Sequence, residues 1–129
     1  LISENYAYIG GRSEELDAYI LKAYDMEGNH LLTFGEKGKD GDDWLAYVSQ
    51  IMEIPEGFFG IDANMRDLYI WGPDASVLGS VEAPDLFGAR YAWIAGAAKQ
   101  DDGSILVALT QDRDDDSATE LLLYRLSGF

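Results

Sequence analysis

The sequence predicts an all-β domain that is built from repeated antiparallel units. The clearest unit lies at residues 18–38, where two apolar and aromatic runs flank a turn that contains Gly28. Similar strand patterns recur at a spacing of about 46 to 53 residues, a period typical of repeat architectures. The matched positions are Ile9, Ile61 and Val107 in one set of strands and Ile20, Ile70 and Leu123 in a second set. The 129 residues, of which 47% are hydrophobic, have the length and the apolar content of one domain.

The first unit, residues 1–44, is expected to contain three strands. Their expected bounds are 6–11, 18–25 and 30–35, and a loop rich in glycine and charge follows at 35–43. His30 follows the turn and is expected to be exposed. A helix over residues 13–24 is the alternative, because Ser13 can act as an N-cap and apolar residues follow at helical spacing. We favour the strand, since Tyr19, Ile20 and Tyr24 prefer β structure.

The second and third units, residues 45–87 and 88–129, are expected to contain four and three strands. Their expected bounds are 47–55, 57–63, 67–74 and 77–82, followed by 91–99, 103–109 and 120–128. A short helical turn over residues 44–52 is the alternative to the start of the fourth strand. Small residues at 88–98 suit an innermost strand, where neighbouring sheets are crowded together. The sequence therefore predicts consecutive antiparallel sheets of three, four and three strands, with at most one or two helical turns.

Two stretches resemble NHL-type repeats of six-bladed β-propellers. In that family a strand that begins with glycine ends in Asp, an Asn-x-Arg turn follows, and a later strand closes on Phe-Gly-x-x-Gly. Here Gly57, Asp62 and the 64–71 stretch with Asn64 and Arg66 are similar to the first part, and Phe34 to Gly38 is similar to the last. The resemblance implies a partial β-propeller of about three four-stranded antiparallel blades, and it favours an extracytoplasmic location.

The charge argues against several classes of partner. A formal net charge of −15 repels phosphate backbones and anionic lipid head groups, so we expect neither a nucleic-acid partner nor a membrane-surface role. No apolar run approaches the length that spans a membrane, so no membrane insertion is expected. The five connections at 10–16, 35–44, 62–67, 83–90 and 112–120 hold more than half of the net charge and are predicted to form one acidic face. Cationic or neutral partners remain.

No cofactor is expected, and a weak calcium site is the alternative. Asp112, Asp114 and Asp116 copy the first half of an EF-hand loop, but Ser117 replaces its glycine and Leu123 stands at the position of its bidentate glutamate. We therefore expect a solvated turn there. A zinc site is excluded, because the chain has one histidine and no cysteine. Lys37 and Lys39 lack the strand-to-helix context of a phosphate loop.

We expect a non-catalytic, propeller-type binding or scaffold module that presents its acidic loops to a protein, peptide or glycan. The candidate binding residues are Trp44, Asp62, Asn64, Arg66, Tyr91, Asp114, Asp115 and Asp116. For the aromatic residues, including Trp71 and Trp93, packing in the core is the alternative role. The alternative function, implied by the resemblance, is a calcium-dependent hydrolase of lactonase or esterase type, with Asp62 and Asn64 as the nearest metal ligands. Three blades are half of a six-bladed ring, so we expect the remainder of a longer propeller, or a second copy, to complete it.

Overall fold

The computed structural model describes residues 1–41, 44–64, 67–87, 92–112 and 119–127, and most of them lie in β-strands. Ten strands are present in this part of the chain. Their bounds are β1 Ala7–Ser13, β2 Ala18–Tyr24, β3 His30–Phe34, β4 Val48–Ile54, β5 Gly57–Asp62, β6 Asp67–Trp71, β7 Val77–Glu82, β8 Ala92–Lys99, β9 Ile105–Asp112 and β10 Thr119–Leu126.

The strands form three antiparallel sheets in which neighbours in sequence are neighbours in space. The first sheet has the order β1-β2-β3, the second β4-β5-β6-β7 and the third β8-β9-β10. No sheet closes on itself among the described strands. The all-β fold and the division into three, four and three strands confirm the prediction from sequence.

The helical segments differ from the alternatives considered above. Residues 13–24 do not form a helix, because Ala18–Tyr24 is strand β2 and pairs with both β1 and β3. Residues 48–52 also belong to a strand, and the helical turn considered there is wrong. The described helices are a 3-10 turn at Gly38–Asp40, inside the expected loop, and α1 at Ala83–Phe87. Neither is long and apolar enough to cross a membrane.

The two central strands of the second sheet, β5 and β6, are buried on both faces. Successive residues of a strand point to opposite sides, so each of these strands contributes to two cores. In β5, Phe58 belongs to the core shared with the first sheet and Phe59 to the core shared with the third sheet. In β6, Trp71 belongs to the core shared with the first sheet and Leu68 to the core shared with the third sheet. Strands buried on both faces read as continuous apolar runs, which is what β5 and β6 show.

Each of the two cores lies between neighbouring sheets. Between the first and second sheets, the rings of Phe34 and Trp71 meet edge to face, with centroids 4.9 Å apart and an interplanar angle of 71°. Between the second and third sheets, Ile61 of β5 shares a cluster with Val107 and Leu109 of β9, all three fully buried. The molecule is therefore a row of three sheets packed face to face.

The alignment of Ile9 with Ile61 and Val107 is wrong. Ile61 belongs to the core on the side of the third sheet, and Val107 belongs to the same core from the opposite side. Ile9, the supposed equivalent in β1, is 65% exposed. Equivalent residues of a repeat must face the same way, and a shift of one residue along a strand exchanges its two faces.

The outer faces of the row are exposed and partly apolar. On β10 of the third sheet, Leu121 and Leu123 are 77% and 68% exposed, whereas Leu122 between them packs against the core. On β8, at the other edge of this sheet, the small residue Gly96 lies close to Gln50 of β4.

Candidate functional site

The connections β1–β2, β3–β4 and β5–β6 meet at one end of the first two sheets, which we call the connection end. There an open cavity of about 540 Å³ lies between the β1–β2 turn and the segment that leads into β4. Its lining includes Arg12, Asp17, Tyr19, Lys39 and Trp44. We call it the Trp44 cavity.

The segment after Trp44 is held in place by the carboxylate of Asp62, the last residue of β5. The main-chain N–H of Ala46 donates to Asp62 Oδ2 over 2.6 Å, and that of Tyr47 donates to Oδ1 over 3.2 Å. Asn64 N–H donates to the same Oδ1 over 3.1 Å. Asp62 is fully buried, so these bonds replace the water that its charge would otherwise need.

The floor of the cavity is fixed by contacts between the first and second sheets. Tyr19 of β2 forms an isolated antiparallel bridge with Leu45, which is itself buried. Burial raises the pKa of Tyr19, while a hydrogen bond with the backbone of Val48 opposes that rise. A side chain at Gly10 would overlap the Tyr19 ring, so the absence of a Cβ at that position makes room for the tyrosine.

A small charged network forms the rim of the cavity. Arg12 and Lys39 both pair with the Asp17 carboxylate, and the Lys39 Nζ to Asp17 Oδ2 distance is 3.0 Å. Asp17 adopts a left-handed backbone with φ of 49°, which Asp tolerates better than most residues. All three side chains are more than half exposed, so these ion pairs add little stability and remain accessible to a ligand.

Two aromatic rings stand beside this rim. Trp44 is 46% exposed and Tyr47 is 52% exposed, which is unusual for side chains of their size. The Tyr47 ring lies 6.3 Å from that of Tyr19, centroid to centroid. Trp71, in contrast, is completely buried, as expected for a core residue. Exposed aromatic rings on an anchored segment, next to two cations, form a surface that can stack on a flat group and bind an acceptor.

The structure brings only some of the predicted binding residues together. Trp44 lines the cavity, and Asp62 accepts hydrogen bonds from the main chain of the segment that follows Trp44. Asn64 is exposed, and its N–H donates to Asp62. Arg66, Tyr91, Asp114, Asp115 and Asp116 lie outside the described residues. Three other residues of the cavity belong to no recognisable sequence motif and were not predicted as binding residues: Arg12, Asp17 and Tyr19. A Gly-Gly pair just before Arg12 was the available signal for close packing against this strand.

A second pair of carboxylates lies at the same end, on the neighbouring strands β6 and β7. Asp67 and Glu82 are direct partners across these strands. Burial raises the pKa of Asp67, and the negative charges of Glu82 and Asp62 raise it further. Oδ1 of Asp67 is buried and has no hydrogen-bond partner among the described residues. Asp67 is thus an acid whose ionisation the fold disfavours.

Acidic residues are not confined to the connection end. At the opposite end, Asp25, Asp74 and Asp102 each accept hydrogen bonds within their own turns, for example from Ser104 N–H to Asp102 Oδ1 over 2.9 Å. These hydrogen bonds hold the pKa of each carboxyl below its ordinary value. The negative charge is therefore spread over both ends of the molecule.

His30 begins β3 and is exposed, as predicted. No group of three or more His, Asp or Glu side chains that could hold a metal ion occurs in the described part of the chain. Comparison with models of known protein families found no match, and a search of curated proteins also found none.

Proposed function

We propose that this protein is a non-catalytic binding or scaffold module in which the Trp44 cavity contacts a protein, peptide or glycan. The observation that carries the proposal is the placement of Trp44. Its ring is exposed, yet the segment that follows it is anchored through Asp62, a buried carboxylate. A rigid aromatic side chain binds with a small entropy cost, which is why Trp and Tyr dominate binding surfaces.

We also propose that the three sheets are consecutive blades of a propeller-type array related to NHL repeats. The face-to-face packing of the sheets supports this, because the central strands of the second sheet, β5 and β6, are buried on both sides. The order of strands along the chain supports it too, since each sheet is a simple up-and-down meander. In such an array the sheets are the scaffold and the connections carry the function.

The chemistry of the rim indicates what a ligand offers. A flat apolar or sugar face stacks on Trp44, while a carbonyl or carboxylate accepts hydrogen bonds from Arg12 or Lys39. The overall charge of −15 draws in cationic ligands over longer distances. A ligand that has a basic region, and one acceptor group near an aromatic or sugar ring, suits both the negative charge of the protein and the hydrogen-bond donors of the rim.

The exposed apolar residues on the outer face of the third sheet suggest that further sheets pack against it. We propose that additional sheets, from a longer chain or from a second copy, cover the face that carries Leu121 and Leu123. Light scattering at increasing protein concentration tests the second copy. A chain that remains monomeric at all concentrations, with cooperative unfolding, contradicts that arrangement.

Peptide and glycan arrays test the binding function directly. We expect a set of ligands that binds the wild-type protein and is lost with Trp44→Ala. Leu78→Ala is the control, because Leu78 is a large apolar residue on β7 that is also exposed, at 60% against 46% for Trp44, and lies away from the Trp44 cavity. Ligands that bind all three proteins equally would show that the cavity is not the site.

No described feature favours the hydrolase over the binding module. Each oxygen of Asp62 already accepts at least one main-chain hydrogen bond. Calorimetric titration with calcium separates the two functions, because a hydrolase metal centre binds calcium tightly and a solvated acidic loop does not. Tight, saturable calcium binding would favour the hydrolase over the binding module.

A further inference from the structure

The rim of the Trp44 cavity carries positive charge on a protein that is otherwise strongly acidic. The chain has 9 Lys and Arg residues against 24 Asp and Glu residues. Among the described residues that line the cavity, the charged ones are Arg12, Lys39 and Asp17. Two cations and one carboxylate leave a local excess of positive charge, and a ligand with a single negative group would neutralise it.

Asp17 does not exhaust the hydrogen-bonding capacity of the two cations. Lys39 Nζ donates to Asp17 Oδ2 over 3.0 Å, and Arg12 donates to Asp17 Oδ1. An ammonium group and a guanidinium group together carry more N–H donors than one carboxylate can accept. The Lys39 and Arg12 side chains are 52% and 72% exposed, so a second acceptor can reach them from solvent.

The main chain that follows Trp44 is already paired within the protein. The N–H groups of Ala46 and Tyr47 donate to Asp62, and the carbonyl oxygen of Tyr47 accepts from the Ala63 N–H over 2.9 Å. A peptide that binds as an added strand needs such main-chain groups to be open. Recognition at this cavity therefore depends on side chains, which favours a sugar over an extended peptide.

The Trp44 ring supplies an apolar surface in the same cavity as the two cations. The ring is 46% exposed, and a cavity of about 540 Å³ is within the size range of small-molecule sites. A sugar ring has a face of C–H groups that packs on an aromatic ring, and its hydroxyls can donate to a carboxylate such as that of Asp17. An acidic sugar also carries the negative group that the rim lacks.

We propose that the Trp44 cavity selects glycans in which the bound sugar carries one carboxylate, as a uronic acid does. The sugar ring packs on Trp44, and its carboxylate accepts hydrogen bonds from Arg12 and Lys39. The rest of the glycan is neutral or basic, because the net charge of −15 repels a polyanion. This inference rests on the binding function proposed for the cavity and adds the chemical class of its ligand.

Three labelled probes test the selection. Two disaccharides, one ending in glucuronic acid and one ending in glucose, differ only in the carboxylate. A Gly-Gly-Phe peptide with a free carboxyl end offers the same negative group beside an aromatic ring on a main chain. By fluorescence anisotropy, we expect the acidic disaccharide to bind about tenfold or more tightly than the neutral one, and we expect added salt to reduce this preference.

Substitutions of the cations test where the carboxylate binds. Arg12→Gln and Lys39→Gln should each weaken binding of the acidic disaccharide by about tenfold and leave binding of the neutral one unchanged. Lys22→Gln is the matched control. Lys22 is an exposed cation of β2 that does not line the cavity, and its replacement changes the net charge by the same amount.

The outcomes separate this inference from the proposed function. Loss of the acidic preference in Arg12→Gln and Lys39→Gln, with Lys22→Gln like the wild type, supports the inference. Equal binding of the two disaccharides, lost in Trp44→Ala, overturns the inference but keeps the cavity as a binding site. Tighter binding of the peptide than of the acidic disaccharide, or no binding of either disaccharide, also overturns the inference. Binding of the acidic disaccharide that is unchanged in Trp44→Ala contradicts both proposals.

Discussion

The main-chain N–H of Ala97 donates to Oε1 of Gln50 over 2.7 Å, and this bond joins β8 of the third sheet to β4 of the second. A second bond runs beside it from Lys99 Nζ to the carbonyl oxygen of Glu53, at 3.1 Å. The two sheets are therefore joined by polar contacts at one edge and by an apolar core over their faces.

Gln50→Ala should destabilise the protein by about 1 kcal/mol, because the Ala97 N–H loses its acceptor in a partly buried position. Ser49→Ala is the neighbouring control, since the Ser49 hydroxyl makes only a long bond of 3.5 Å to the Ile61 carbonyl. Urea unfolding measures both free energies. Equal values for the two variants would show that the bond between the sheets contributes nothing.

Gly60→Ala should destabilise the protein by about 1 to 3 kcal/mol, because the new methyl group would overlap the buried Trp71 ring. Gly79→Ala, in contrast, should be neutral or stabilising, since a Cβ there meets nothing within 4 Å. Thermal unfolding of the two variants measures the difference. If Gly60→Ala unfolds at the wild-type temperature, the packing of Trp71 over this glycine is wrong.

Asp62→Asn should cost about 2 kcal/mol, because an amide has one acceptor oxygen and cannot replace both oxygens of the carboxylate. The segment 44–47 should also become more mobile, and amide exchange at Ala46 and Tyr47 should rise. Asp85→Asn changes the net charge equally at an exposed site and serves as the control. Unchanged amide exchange in Asp62→Asn would remove the anchoring role assigned to Asp62.

Asp67 should make the protein more stable as the pH falls from 7 towards 4. Its folded pKa lies above the ordinary 3.8, so its contribution to stability is complete below 3.8 and is lost as the pH rises through the folded pKa. Asp67→Asn should therefore raise the unfolding temperature at pH 7 and lose this advantage at low pH. Asp85→Asn controls for the charge, and an equal gain at both pH values would contradict the assignment.

The positions of the strands could be predicted from the sequence, because turn residues and apolar runs are local signals. The Asp25 to Asn29 turn, for example, closes through hydrogen bonds to the Asp25 side chain that its sequence already indicates. The same local signals cannot determine which face of a strand points towards a neighbouring sheet, so the exposed Ile9 was wrongly aligned with the buried Ile61.

The candidate site was less accessible to prediction from the sequence. Trp44 was selected as an aromatic residue, but its exposure depends on Asp62, 18 positions away, and on the bridge between Tyr19 and Leu45. Asp62 itself was expected to face a ligand and instead accepts hydrogen bonds from the main chain. Contacts between sheets decide both outcomes, and no short motif records them.

Titration of an array-derived ligand into the protein tests the central claim of binding without catalysis most directly. Calorimetry should show saturable binding to the wild-type protein and to Leu78→Ala, and Trp44→Ala should bind about tenfold or more weakly. NMR spectra of the ligand, recorded before and after long incubation, should be identical. Conversion of the ligand, or equal affinity for wild type and Trp44→Ala, would contradict the account.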